Sequence, residues 1–157
     1  MKSLTMKEQK GFTAFCILLT SVKRTFSRYQ SFKMKELFVS KTFQPKEVAK
    51  DWGYELWLVN NKEEDYCGKI LYIREGHSTS MHFHSKKHET FYILQGELRV
   101  DVIDTDSTEV DIHSVLEGES FVVERNCPHK LIAQGGPVKF IEISTFHEDS
   151  DSYRVKK

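Results

Sequence analysis

The chain has 157 residues, 39% of them apolar, and a formal net charge of zero, which suits one globular domain with a packed core. Charge is uneven along it: residues 1–33 contain seven Lys or Arg and one acid, a net charge of +6, so the neutral chain leaves −6 on residues 34–157. This acidic body lacks a basic stripe with interleaved aromatics, which excludes nucleic-acid binding.

Residues 1–33 differ from the rest and are predicted to be an extension that precedes a domain at 34–157. The apolar run FTAFCILLTSV at 12–22 is too short to cross a bilayer, which takes about 20 residues. Three interpretations stay open: a poorly ordered extension with Met34 as the true start, an organellar or secretory targeting segment, and a helix packed on the domain. Three cysteines are too few for a disulfide framework, which favours a reducing, cytoplasmic compartment.

From residue 36 onward, short segments of strand character are separated by turn residues, without a long 3.6-residue periodicity. The pattern predicts strands at residues 37–42, 54–60, 66–74, 80–83, 89–94, 97–103, 109–113, 120–123, 130–133 and 138–145. Only the segment 45–51 favours a helical turn. Many short strands of this kind predict an all-β fold of the jelly-roll or closed-barrel class.

Four side chains with metal-ligating groups stand at an informative spacing: His82, His84, Glu89 and His129. Residues i and i+2 of a strand share a face about 6.6 Å apart, so two imidazoles can approach one ion at about 2.1 Å. Three imidazoles and a carboxylate suit Mn, Fe, Co, Ni or Zn, and the affinity order alone does not choose among them. The spacing predicts one divalent transition-metal ion with coordination positions left for water or substrate.

The segment 76–96, GHSTSMHFHSKKHETFYILQG, resembles the first motif of the cupin superfamily, Gly-x5-His-x-His-x4-Glu-x6-Gly, at every fixed position. The second cupin motif is similar to the sequence around Gly118 and His129, although Glu124 replaces the usual proline and Asn126 the usual glycine. Asn is the non-glycine residue best suited to a left-handed backbone, so we expect the turn to persist.

This resemblance covers about residues 50–146 and implies the cupin double-stranded β-helix, a jelly-roll barrel, and a homodimer paired through an outer sheet face. If His82 and His84 point inward, the side chains predicted to share the interior are Glu89, Phe91 and Ile93 on one strand and Phe140, Glu142 and Ser144 on the last. The remaining histidines, His77, His88, His113 and His147, are interpreted as surface or hydrogen-bonded residues. Cys127 is interpreted as a small turn residue, with a ligand or redox thiol as the alternatives.

Residues 51–60, DWGYELWLVN, 69–76, KILYIREG, and 146–155, FHEDSDSYRV, resemble sugar-processing cupins, especially the mannose-6-phosphate isomerase type. The resemblance implies aldose–ketose isomerisation, or epimerisation, of a sugar or sugar phosphate through a metal-stabilised enediolate. The alternative is that Trp52 and its aromatic neighbours only pack the end of the barrel.

Isomerisation requires a base that reaches two adjacent carbons from one face. The first candidate is Glu142, if it faces inward, followed by Lys69 and Lys87, whose pKa burial would have to lower. These two lysines and Arg154 alternatively bind a phosphate. Two other functions remain open: an Fe(II)-dependent dioxygenase, and a non-catalytic module that binds a carbohydrate or another small molecule.

Overall fold

The computed structural model describes residues 42–155, so the extension predicted at 1–33 and all but Thr42 of the strand predicted at 37–42 lie outside it. The described elements are β1 (Lys46–Lys50), β2 (Gly53–Asn61), β3 (Tyr66–Ile73), β4 (His82–His84), β5 (Glu89–Gln95), β6 (Leu98–Ile103), β7 (Val110–Val115), β8 (Ser120–Val123), β9 (His129–Ala133), β10 (Val138–Ser144), the 3-10 helix η1 (Asp149–Asp151) and β11 (Ser152–Arg154). Within this range, no helix is long and apolar enough to span a bilayer.

The strands form two antiparallel sheets that face each other. The first has the order β1-β2-β3-β10-β5-β8, and the second has the order β11-β4-β9-β6-β7. Neighbours in each sheet are mostly distant in sequence, because successive strands cross between the two layers. This is the jelly-roll architecture, and the predicted all-β fold class is confirmed.

The interior follows from the two-residue alternation of the strands. Every second residue of β10, beginning with Val138, is buried, and the same holds for β5 from Glu89 to Ile93. Phe91, Ile93 and Phe140 belong to one apolar cluster contributed by both sheets. The predicted inward faces of these two strands are therefore confirmed.

Two features at the ends of the domain differ from the predictions. The helical turn predicted at 45–51 is wrong, because Lys46–Lys50 pairs along its whole length with β2. Sheet pairing here outweighs a weak local preference, and Pro45 lies just outside the strand, where its missing N–H costs no ladder bond. Strand β11 was not predicted, because three exposed residues carry little pattern.

Several turns that carry the chain from one sheet to the other contain a residue with left-handed backbone. Asn126, expected to substitute for glycine, has φ 61°, so this prediction is confirmed. Gly96 and Gly118 both have φ 85°, but their surroundings differ. A Cβ at Gly96 would lie 2.5 Å from the carbonyl oxygen of Pro137, whereas one at Gly118 would meet nothing within 4 Å.

This pair of glycines separates backbone strain from close packing. Gly118→Ala is expected to lower the free energy of unfolding by about 1 kcal/mol, the cost of a left-handed alanine. Gly96→Ala carries the same cost plus about 1–3 kcal/mol, because the β5–β6 turn must move away from Pro137. Urea unfolding of both variants measures the difference; equal losses would contradict the described contact.

Candidate metal centre and cavity

The four predicted metal ligands lie together in the interior. His82 of β4 is the direct cross-strand partner of His129 of β9, His84 follows on the same face, and Glu89 begins β5 opposite them. All four line one cavity of about 350 Å³ between the two sheets. The structure thus brings the four residues together, including His129, which is forty positions from Glu89 in sequence.

Backbone carbonyl groups fix the orientation of the three imidazoles. The Nδ1–H groups donate to carbonyl oxygens: His82 to Ser80 at 2.8 Å, His84 to Asp151 at 2.8 Å and His129 to Cys127 at 2.9 Å. Because a carbonyl only accepts, each Nδ1 carries the proton and each Nε2 carries a lone pair. Burial lowers the pKa of all three rings, which keeps them in the neutral form that a metal requires.

The inward atoms of this cluster are acceptors without donors. Glu89 Oε2 lies 3.4 Å from His129 Nε2 and 3.9 Å from His84 Nε2. Glu89 Oε2 and His129 Nε2 are buried and lack a hydrogen-bond partner among the described residues. Two buried acceptor atoms at this distance repel, and a cation between them would remove the repulsion.

These distances fit a shared ion. Two ligand atoms that are each about 2.1 Å from one ion are about 3.0 Å apart at a right angle and about 4.2 Å apart in opposite positions. Within residues 42–155, no group of three or more His, Cys, Asp or Glu side chains is positioned to hold a metal ion as the side chains stand. Metal binding by the four residues therefore stays a prediction that their orientation supports.

A buried ion-pair cluster adjoins the four residues. Lys87, which follows β4, contacts Oε1 of Glu89 at 2.6 Å and Oε1 of Glu142 on β10. Burial alone would raise the pKa of Glu142, but Lys87 and Lys69 outweigh it and hold this pKa well below the ordinary value. Burial alone would lower the pKa of Lys87, but Glu142 and Glu89 raise it. Lys87 is thus a cation, without the lowered pKa that a lysine base requires.

The cluster continues through the buried Lys69 of β3. Its ammonium lies 3.8 Å from Glu142 and 3.6 Å from Glu55, and it stands 4.7 Å from the ring centre of Trp57. Glu55 also accepts a hydrogen bond from the indole N–H of Trp57 at 2.7 Å and pairs with Lys50 at 3.2 Å. Trp57 therefore does more than fill the end of the barrel, because it orders two charged residues of the cavity.

Asp151 is a structural residue that sequence reasoning missed. Its buried carboxylate accepts hydrogen bonds from the backbone N–H groups of Ser85, Lys86 and Lys87 and from the Ser85 hydroxyl. It thereby shapes the turn between β4 and β5, which aims His84 and Lys87 into the cavity. The only signal in the sequence was the acidic tail, which does not reveal which of its carboxylates is buried.

The residues that were not predicted to bind metal, the other histidines and Cys127, occupy different environments. His77, His88 and His113 do not line the cavity, whereas His147 does. Cys127 is half-buried, its carbonyl orients His129, and burial raises the pKa of its thiol. A raised pKa disfavours the reactive thiolate, which agrees with the interpretation as a turn residue.

Comparisons with known proteins agree with this fold. Residues 70–144 match the family described as the cupin domain. The structure resembles the capsular polysaccharide assembling protein CapF from Staphylococcus aureus, with a TM-score of 0.65 and 15% identity over 74% of this chain and 35% of that one. It also resembles a variant of oxalate decarboxylase from Bacillus subtilis, with a TM-score of 0.65 and 19% identity over 78% and 34%.

A third similar structure is the oxalate decarboxylase formate complex from Lactobacillus farciminis, with a TM-score of 0.64 and 18% identity over 76% of this chain and 38% of that one. The chain spans about a third of the length of these solved structures. No curated protein matches the sequence. At these identities the likeness concerns the fold, and it confirms the cupin jelly roll that the motifs implied.

His82→Ala should remove bound metal, because it deletes one of the three imidazoles predicted to ligate the ion. The protein is purified, loaded with manganese or cobalt, dialysed, and measured by elemental analysis. His88→Ala is the matched control, since His88 lies outside the cavity beside Glu124. The control should hold as much metal as the wild type, and stoichiometric metal in His82→Ala would refute the ligand assignment.

Asp151→Asn should destabilise the fold by about 2 kcal/mol, because an amide group replaces one oxygen that accepts from backbone N–H donors. The free energy of unfolding in urea checks this value. Asp106→Asn, an exposed loop substitution, serves as the comparison and should change it little. An unchanged midpoint in Asp151→Asn would show that the turn does not depend on the carboxylate.

Proposed function

We propose that this chain, whose residues 70–144 match the cupin domain family, is a metal-dependent isomerase that interconverts the aldose and ketose forms of a small sugar. The observation that carries the proposal is the position of the Lys87–Glu142 ion pair beside the inward nitrogens of His82, His84 and His129. A site of this kind offers both a cation for developing negative charge and a carboxylate for proton transfer. The resemblance of residues 51–60 and 69–76 to sugar-processing cupins supports the same reaction class.

The three histidines and Glu89 would hold a divalent transition metal, since all four line one cavity and Glu89 Oε2 and His129 Nε2 are buried without a hydrogen-bond partner. When bound there, such an ion supplies Lewis-acid polarisation of a substrate carbonyl. Glu89 would offer Oε2 to such an ion, because Lys87 engages Oε1.

In this proposal Glu142 takes the proton from C2 and returns it to C1, while the hydroxyl proton of O2 passes to O1, so that the aldose becomes the ketose with no atom gained or lost. The two lysines keep it ionised, so it is always ready to accept, although a carboxylate of low pKa is a weak base. Lys87 offsets that weakness, because its ammonium can hydrogen-bond to the oxygen that becomes negative as the proton leaves. Ser144 donates to Glu142 at 2.9 Å and orients the carboxylate.

A free sugar fits the cavity better than a sugar phosphate. Of the three basic residues considered for phosphate, Lys69 and Lys87 each already face two carboxylates. Only Arg154, at the mouth on β11, remains to meet a phosphate. The volume of about 350 Å³ lies at the lower end of the range for small-molecule sites.

Glu142→Gln should abolish isomerisation and keep the metal, because it removes the proton acceptor and leaves the four ligands in place. Turnover is followed by NMR on free aldose–ketose pairs, with each metal in turn. Glu55→Gln is the matched control, because Glu55 is the other carboxylate that faces Lys69 and it does not contact Lys87. This variant should lose less turnover than Glu142→Gln. Full turnover in Glu142→Gln would refute the base assignment.

The same preparation separates the isomerase from a dioxygenase. Oxygen uptake is measured with Fe(II)-loaded protein and the same sugars. An isomerase consumes no oxygen, so substrate-dependent uptake would overturn the proposed reaction, and metal-loaded protein that converts none of the sugars would favour a binding role.

A further inference from the structure

Strand β7 lies at the end of the second sheet, and one of its edges is unpaired within residues 42–155. The sheet order ends with β6 and then β7, and all residues of β7 except the last are exposed. Val110 and Ile112 are 50% and 60% exposed. An open strand edge with apolar side chains is a template for another strand, which many proteins block with a proline or a bulge. Neither interrupts β7.

The hydrogen bonds near the start of β7 establish which backbone groups point to the open edge. The N–H of Asp104 donates to the carbonyl of Glu109 at 3.0 Å, whereas the N–H of Ile103 donates at 2.9 Å to Pro128, which precedes β9 on the other side of β6. Backbone groups of an antiparallel strand alternate between its two sides. The odd-numbered residues of β7 therefore bond to β6, and the N–H and C=O groups of the even-numbered ones point to the open edge. These are Val110, Ile112 and Ser114.

Only one register pairs all three even-numbered residues with those of a second, antiparallel copy. In it Ile112 lies opposite Ile112, and Val110 lies opposite Ser114 of the other copy. The intervening residues then pair as well, with Asp111 of each copy opposite His113 of the other. An imidazole N–H donates to a carboxylate, so this cross-strand pair is favourable. A slip that sets Val110 opposite Ile112 would place the two Asp111 carboxylates opposite each other, which is unfavourable.

We propose that the edge of β7 is an interaction surface for a second copy of this chain, and that the two β7 strands pair antiparallel about a two-fold axis at Ile112. The pairing would join the second sheets of both copies and add about six backbone hydrogen bonds. It differs from pairing through an outer sheet face, which the cupin resemblance implied. It does not depend on the proposed reaction, because β7 does not line the cavity of the predicted metal ligands.

The size of this contact predicts a weak dimer. It is confined to residues 109–115 of each copy, fewer than the roughly 20–30 residues a side of a standard interface. We therefore expect a dimer that dissociates on dilution. Sedimentation velocity of the full chain over a series of concentrations measures this equilibrium.

Proline at position 112 tests the pairing selectively. Ile112→Pro removes an N–H that points to the open edge, so it deletes no bond to β6, but the dimer loses its central hydrogen bonds. The dissociation constant of the dimer should rise about 10-fold or more. Ile143→Asp is the control, because Ile143 is 61% exposed on β10 of the first sheet. This control should leave the equilibrium unchanged.

Cysteine variants test the register. Opposite residues of a bonded pair have Cα atoms about 5.5 Å apart, within the range for a disulfide, so Ile112→Cys should form a covalent dimer under mild oxidation. Val110→Cys is the matched control on the same strand, because the two copies of residue 110 would be about 14 Å apart. A mixture of Val110→Cys and Ser114→Cys should cross-link. Non-reducing gel electrophoresis measures the dimer, and the wild type gives the background from its own cysteines.

Three results would overturn the inference. The first is a chain that stays monomeric at every concentration. The second is a dimer that Ile112→Pro leaves intact or that Ile143→Asp dissociates, since either assigns the dimer to another surface. The third is equal cross-linking of Ile112→Cys and Val110→Cys. If Ile112→Pro does not fold, the cysteine variants, which replace exposed side chains, decide the matter alone.

Discussion

The cavity depends on one ammonium group placed between two buried carboxylates. Lys87 lies between Glu89 on β5 and Glu142 on β10, and all three side chains are almost fully buried. Without the cation, two buried negative charges would remain unpaired, a loss of about 3–5 kcal/mol for a buried pair. The same contact occupies Oε1 of Glu89, and so Oε2 is the oxygen left facing His84 and His129. The arrangement of the predicted metal set therefore follows from an ion pair.

The C-terminal tail supports this arrangement from outside. Strand β11 pairs with β4 in a register that sets Ser152 opposite His84 and Arg154 opposite His82. Just before it, Asp151 receives the N–H groups of the turn that carries Lys87, and its carbonyl accepts from His84. Residues near the end of the chain thus fix both the orientation of a predicted ligand and the position of the buried cation.

Much of the fold and the inward placement of the four candidate ligands is predictable, because both follow the two-residue period of a strand. His82 and His84 share a face by geometry alone, and Phe140 and Glu142 do so on β10, which made the inward position of Glu142 foreseeable. The left-handed Asn126 followed from the backbone preference of asparagine. These inferences use only local spacing and local conformational energy.

The missed features depend on contacts between distant segments. Lys46–Lys50 is a strand because β2 pairs with it, and Asp151 is buried because it meets a turn more than sixty residues earlier. The sequence did not distinguish His147 from the other histidines, because its place in the cavity lining depends on a contact with Asn60, which is far away in sequence. No local pattern distinguishes such residues from exposed polar ones.

The charge balance of the cavity bears on the kind of chemistry that it supports. Its lining contains four cationic side chains, Lys50, Lys69, Lys87 and Arg154, and four carboxylates, Glu55, Glu89, Glu142 and Asp149. Because these charges cancel, a divalent ion would leave the site with a net positive charge concentrated beside the histidines. That excess favours a substrate that is neutral when it enters and becomes negative as it reacts, since the attraction then grows during the reaction instead of being spent on binding. Proton removal next to a carbonyl creates such a charge, whereas an anion already present in the substrate would bind strongly from the start and gain less.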